Sequence, residues 1–325
     1  MSHRATLDQR IPVGIGSCVL GEPVRFNGFG KKSSEPVERL AACFELRAFC
    51  PEVAIGLGVP RPPIRLVATD AADAGVRAVD SATGLHDVSA ALRGSALEFL
   101  ARSPDLCGYI FVKGSPSCGM ERVKRYAENG NSLASDGVGL FAATLMAANP
   151  LLPVEEDGRL HDEHLCESFV TRVFTYADWR ELRRNELTLH ALQTFYANHK
   201  YLIMSRHIAT YKELGRLLAQ RSNTSIEALG EQVIALIMAA LRRPATRAGH
   251  TNALQHIRGY LKHDLDKAEN KALNELIEQY RCGHVPLVVP LTLLRHHFSQ
   301  HPDPYIEQQL FMRPYPDALR LRNHI

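Results

Sequence analysis

The first half of the chain alternates short apolar runs with longer amphipathic ones. I-P-V-G-I-G-S-C-V-L at residues 11–20 opens with an apolar run and breaks into a polar turn, as a buried strand does. Residues 24–31 carry Gly28 and Gly30 and predict a loop. From Pro36 to Phe49, Val37, Leu40, Ala41, Phe44 and Ala48 recur at helical spacing, with Pro36 suited to a first turn. Leu66–Thr69 predicts an edge strand, residues 86–104 a helix, and Tyr109–Val112 a buried strand. Gly137 and Gly139 lead into a helix at Leu140–Met146. This alternation predicts an α/β N-terminal domain with a mostly parallel, Rossmann-like sheet. Ligands of such sheets gather at the carboxyl ends of the strands.

The pattern changes further on. His190–Gly215, Ile226–Leu241, Thr251–Leu261 and Asp266–Arg281 are amphipathic at helical period. Pro286 and Pro290 then interrupt, and a short helix is expected near Leu291–Phe298. The expectation is an all-helical C-terminal domain over 185–325, an α/β domain over 1–158, and a linker over 159–184.

Charge supports the division. Residues 1–158 hold 16 Lys and Arg against 18 Asp and Glu; residues 159–325 hold 22 against 17. Thirteen of the 15 histidines follow residue 158, whereas five of the seven cysteines precede residue 150. No apolar run reaches membrane-spanning length. M-S-H-R-A-T-L-D-Q-R lacks the apolar core of a secretory signal, so a cytoplasmic location is expected and a disulfide framework is not.

No two cysteines form C-x-x-C. Three stand in loop-like settings beside Gly or Pro: Cys18 in G-S-C-V-L-G, Cys50 in F-C-P-E, and Cys118 in K-G-S-P-S-C-G. If all three reach one rim of the sheet, they form a thiolate set for a soft metal, zinc or an iron–sulfur cluster. The competing reading is that each only fills space, as buried cysteines commonly do. The full G-x-G-x-x-G fingerprint is missing around Gly137 and Gly139, which disfavours dinucleotide binding.

Residues 11 to about 155 resemble the thiouracil desulfidase family in S-C-V-L-G-E-P-V-R-F-N-G, C-P-E-V-A-I-G-L-G-V-P-R-P-P, K-G-S-P-S-C-G and D-G-V-G-L-F-A. Phe26-Asn27 departs from the tyrosine and aspartate of many relatives. The resemblance implies a [4Fe–4S] cluster held by Cys18, Cys50 and Cys118 with one open iron. It implies removal of sulfur from a thiolated uracil as sulfide, a net hydrolysis. Glu52, two residues beyond Cys50, is then the expected general acid and base. Ser115 and Ser117 are expected to touch substrate or cluster sulfur, and Ser17 to tune the cluster. The amides of Gly137 and Gly139 are candidates to hold an oxyanion or a uracil carbonyl. Lys113, Arg25 and Arg61 are available for phosphate or base oxygen.

The stretch from about 185 to 320 resembles an accessory helical domain often fused behind the first, in F-Y-A-N-H-K-Y-L-I-M-S-R-H, Y-K-E-L-G, H-I-R-G-Y-L-K and Y-I-E-Q-Q-L-F-M-R-P-Y-P. Such fusions resemble bacterial desulfidases that convert 4-thiouridine in tRNA to uridine. That implies tRNA as partner, with Lys200, His207, Tyr211, Arg258 and Lys262 as candidate RNA contacts. A desulfidase of free thiouracil, with the helical domain serving assembly, is the close alternative. An iron–sulfur dehydratase and a non-enzymatic metal and nucleic-acid binding module also remain open.

Overall fold

In the N-terminal unit, Arg10–His161, four strands lie side by side in one parallel sheet. The structure is a computed structural model that describes residues 10–31, 33–69, 75–219 and 224–325. The stretch M-S-H-R-A-T-L-D-Q-R lies outside these residues except for Arg10. β1 (Ile11–Gly16) pairs with β2 (Phe44–Phe49) and β5 (Gly108–Phe111), and β5 pairs with β8 (Val154–Glu156). The order is β2-β1-β5-β8. The chain leaves β1 toward β2 and later returns to β5 on β1's other side. The switch point of the sheet therefore lies between β1 and β5, where open parallel sheets place their ligand sites.

Covered strands need apolar residues on both faces. β5 is buried along its length. Phe49, Phe99, Tyr109 and Phe111 pack around Phe141, with Phe49–Phe99 centroids 4.7 Å apart and Phe99 meeting Tyr109 edge-on at 5.6 Å. Phe99 comes from α3 (Ser89–Arg102) and Phe141 from α4 (Leu140–Ala148).

A second sheet, β4-β3-β6-β7, was not read from the sequence. It comprises β3 (Ile64–Ala68), β4 (Val76–Asp80), β6 (Val123–Tyr126) and β7 (Ser132–Gly137). Ile64, Leu66, Ala78 and Val123 share a core with Val88, Leu92 and Leu140. β3 thus pairs on both sides and is no edge strand. β7, S-L-A-S-D-G, is mostly exposed and has no apolar alternation to betray it.

The helix expected from Pro36 to Phe49 stops early. α1 (Glu35–Leu40) ends in a tight turn, and Phe44–Phe49 is β2. F-E-L-R-A-F fits either period, and six-residue parallel pairing with β1 outweighs the local spacing. α2 (Pro51–Ala54) is a single turn that begins right after Cys50.

Asp162–Ile325 form a second, helical unit. Much of the stretch read as linker is α5 (Glu163–Arg184), twenty-two residues capped by the Asp162 carboxylate, which accepts from the His164 and Leu165 amides. The expected His190–Gly215 helix is two, α6 (Leu189–Arg206) and α7 (Ile208–Ala219), separated at His207. α8 (Ile226–Leu241), α9 (Arg247–Arg258), α10 (Lys267–Arg281), α11 (Val288–Gln300) and a short α12 (Pro304–Glu307) follow. Asp266 and Glu269 close a reciprocal capping box on α10. Pro290 lies inside α11 rather than interrupting it, because the first-turn position needs no intrahelical N–H bond. No described helix is long and apolar enough to cross a membrane.

The helical core is tied by a buried ionic group. Glu167 accepts from Arg206 and from Thr171 Oγ1, lies 3.9 Å from Arg322, and has Tyr315 Oη at 3.5 Å. Burial opposes ionisation of Glu167, but the two guanidiniums outweigh it and its carboxyl sits below the usual range. His250, bonded through Nδ1 to Tyr280 Oη at 2.7 Å, is pushed down to about 3, chiefly by burial.

Candidate active site

Three parallel strands end at one edge of the first sheet, and each delivers part of a cavity of about 210 Å³. After β1, the turn Ser17–Leu20 carries Cys18, whose carbonyl accepts from the amides of Gly21 and Lys31 at 3.2 and 2.9 Å. After β2, Cys50 precedes α2, whose first turn presents Glu52. After β5 comes the loop of residues 112–119 with Ser115, Ser117 and Cys118. Ser17, Cys18, Cys50, Glu52, Ser115, Ser117 and Cys118 all line the cavity, so most of the N-terminal candidates meet in one place.

The central contact is between loop and helix. Ser117 Oγ donates to Glu52 Oε1 at 2.6 Å. Ser117 is almost fully buried and its hydroxyl also lies 2.9 Å from Ser115 Oγ and 3.7 Å from Cys118 Sγ. Ser115 Oγ accepts from the amides of Ser117 and Cys118 at 3.3 and 3.1 Å. Ser115 therefore holds its own loop in a serine turn while lining the cavity beside Ser117.

Glu52's other oxygen, Oε2, accepts from Arg61 Nε at 2.9 Å and Nη2 at 2.8 Å. Arg61, considered from the sequence for phosphate or base oxygen, is instead turned to this carboxylate. Arg25 lines the cavity, and Lys113 contributes to its wall while its amide donates to Asp157 at 3.2 Å. The signal for Arg61 was P-R-P-P, a stiff segment that fixes where its side chain starts.

Gly137 and Gly139 stand behind the loop and outside the cavity lining. The Gly139 amide donates to Gly119 O at 2.8 Å, and Leu140 and Ala142 donate to Pro116 O and Ser117 O, both at 3.1 Å. These amides are occupied in holding the loop, not in facing the cavity. A Cβ on Gly139 would lie 2.5 Å from the Ser117 carbonyl.

The cysteines correct one expectation. Cys18, Cys50 and Cys118 share the cavity, yet no group of three or more His, Cys, Asp or Glu among the described residues is placed to hold a metal ion. Burial, then the Glu52 charge, pushes the Cys118 thiol well up. Burial raises Cys18, with Cys50 adding to it, and burial raises Cys50. The described residues do not fit the [4Fe–4S] cluster expected on the three cysteines, and with it goes the role of Ser17 in tuning such a cluster.

In the helical unit, the Lys200 ammonium stands over the rings of Tyr201, Tyr211 and Tyr305 at 5.7–5.9 Å from their centroids. Tyr211 stacks with Tyr196, whose hydroxyl donates to Tyr211 O at 2.8 Å. The structure thus brings Lys200 and Tyr211 together. His207 Nδ1 contacts Thr210 Oγ1 at 2.8 Å at the start of α7. Arg258 donates to Asn274 at 3.1 Å, and Lys262 is exposed just beyond α9.

Comparison with known proteins divides the chain the same way. A family described as 2-thiouracil desulfurase matches residues 13–157, and one described as protein of unknown function DUF1722 matches residues 200–316. A solved structure of a [4Fe–4S]-dependent thiouracil desulfidase, TudS, is 31% identical, with 49% of this chain and 99% of that one covered and a TM-score of 0.38. The uncharacterized protein YbgA of Escherichia coli (strain K12) is 27% identical over 158 residues, 48% of this chain and 94% of its own length.

Proposed function

We propose that this chain, a thiouracil-desulfidase-like domain fused to a distinct helical domain, removes sulfur from a free thiolated uracil by hydrolysis. The observation that carries the reading is the short Ser117–Glu52 hydrogen bond in the wall of a cavity within the matched segment. A carboxylate hydrogen-bonded to a buried hydroxyl is a proton relay.

Size favours a free base. About 210 Å³ is below the roughly 300 Å³ at which pockets for drug-sized ligands begin. That volume suits one pyrimidine ring better than a whole nucleotide. The apolar part of the wall, from Phe49, Pro63 and Ile64, offers surface for the ring.

Water adds its oxygen to the thiocarbonyl carbon while its proton passes through Ser117 Oγ to the Glu52 carboxylate. The C=S π pair moves onto sulfur. When the carbonyl re-forms, the added hydroxyl gives up its remaining proton and the C–S bond breaks with its electron pair on sulfur, and sulfur takes both that proton and the one held by Glu52. Thiouracil and water become uracil and hydrogen sulfide, and no electron donor is needed. In this reading the helical domain serves assembly.

The test is anoxic incubation with 2-thiouracil, 4-thiouracil and tRNA carrying 4-thiouridine, each followed for sulfide. Sulfide from a free base, absent in Ser117→Ala, supports the reading. Sulfide from tRNA alone replaces the free base with the RNA substrate, and sulfide from none removes the activity.

A further inference from the structure

We infer that Arg61 is a positioning residue of this site: it fixes the rotation of the Glu52 carboxylate so that one oxygen is committed to Ser117. The inference rests on the proposed relay. The side chain of Arg61 is 3% exposed and that of Glu52 is 14% exposed. A guanidinium so deeply placed requires a charged partner, and Glu52 supplies it. Nε and Nη2 both donate to Oε2, at 2.9 and 2.8 Å, and Nη1 donates to Gly58 O at 2.8 Å. The planar fork therefore holds Oε2 from one side and the backbone from the other. With Oε2 pinned, Oε1 has one direction left, toward Ser117 Oγ at 2.6 Å.

Arg61 is itself held. Its amide donates to Phe26 O at 2.9 Å, which ties it to the loop at the cavity mouth, and prolines stand on both sides of it. The loop carrying Phe26, the Gly58 turn and Glu52 thus converge on one residue. A merely structural ion pair would not need both oxygens of the carboxylate assigned to separate partners. Here the free rotation of Glu52 is removed by one partner, and the proton path is left to the other.

The test compares wild type, Arg61→Lys, Arg61→Gln and Arg61→Ala in sulfide release from thiouracil, with melting temperature followed for each. A misplaced catalytic group costs up to about a hundredfold in rate. Arg61→Gln is expected to lose about 10- to 100-fold in kcat with KM within about twofold. Arg61→Lys, which cannot fork, should recover only part of it. Added guanidinium should raise the rate of Arg61→Ala several-fold and leave Glu52→Gln/Arg61→Ala unmoved. A role confined to stability would give losses that follow melting temperature and no guanidinium rescue, and would overturn the inference. Wild-type kcat in Arg61→Gln or in Arg61→Lys would overturn it too, while the reading of the function stands. A wild type that releases no sulfide removes the reading, and the inference with it.

Discussion

Substituting Gly139 by Ala tests how the catalytic loop is held. Gly139 has φ −61° and ψ 142°, which alanine adopts without strain. On the unfolded side the change should stabilise by about 0.4–1 kcal/mol. The folded side opposes it. The new Cβ would lie 2.5 Å from both the carbonyl carbon and oxygen of Ser117 and 2.9 Å from the Cys118 nitrogen, all backbone atoms. Ordinary contact starts near 3.4 Å, so loop and helix must part by about 1 Å. Three bonds lie across that gap: Gly139 to Gly119, Leu140 to Pro116, and Ala142 to Ser117. Overpacking of this kind costs about 1–3 kcal/mol. For a unit of about 150 residues that is a melting temperature lower by about 2–12 °C. Ser117 moves with the loop, so kcat should fall by about 10- to 100-fold. The assay is thermal unfolding together with sulfide release from thiouracil. Gly94→Ala on α3 is the control, since its Cβ meets nothing within 4 Å and it should stabilise by about 0.5–1 kcal/mol. Unchanged melting and unchanged kcat in Gly139→Ala would refute the account of the loop.

Glu52→Gln takes the charged partner from buried Arg61 and should lower the melting temperature, and it should lose about 10²- to 10⁴-fold in kcat; thermal unfolding and steady-state sulfide kinetics check this. Glu167→Ala leaves the buried Arg206 and Arg322 without their carboxylate and should destabilise by about 3–5 kcal/mol, read from urea unfolding of the full chain. His250 is neutral when folded, with a pKa of about 3 against an ordinary 6.5. The unfolded chain binds its proton first, so this contribution to stability is complete above about pH 6.5 and declines toward pH 3. His250→Asn should reduce the slope of unfolding free energy in that window by about 1.4 kcal/mol per pH unit; urea titrations at stepped pH show it.

Of the first sheet, β1 and β5 were legible because they are buried apolar runs that end in turns marked by Gly and Pro, while β2 and β8 were not read as strands. Cys18 and the loop of residues 112–119 could be placed at one edge because each follows a strand that runs the same way, whereas the strand before Cys50 was read as helix. The second sheet was not legible, since V-K-R-Y and S-L-A-S-D-G carry too few apolar residues to report strand period. β2 was lost in a helical spacing that carried on unbroken from α1. At the site, residue types pointed to Glu52 and Ser117, but their contact is made by packing across 65 positions. Arg61 had the right charge in the right segment, and only the fold shows its fork on Glu52. The thiols reached one cavity as expected. They line it, and no group placed to hold a metal ion is found among the described residues.

The most direct measurement runs the reaction in ¹⁸O-labelled water under anoxic conditions and weighs the product uracil. Hydrolysis through the Ser117–Glu52 relay predicts one labelled oxygen in each uracil formed and one sulfide released with it. Uracil without label, or sulfur left on a protein thiol in place of free sulfide, contradicts the account.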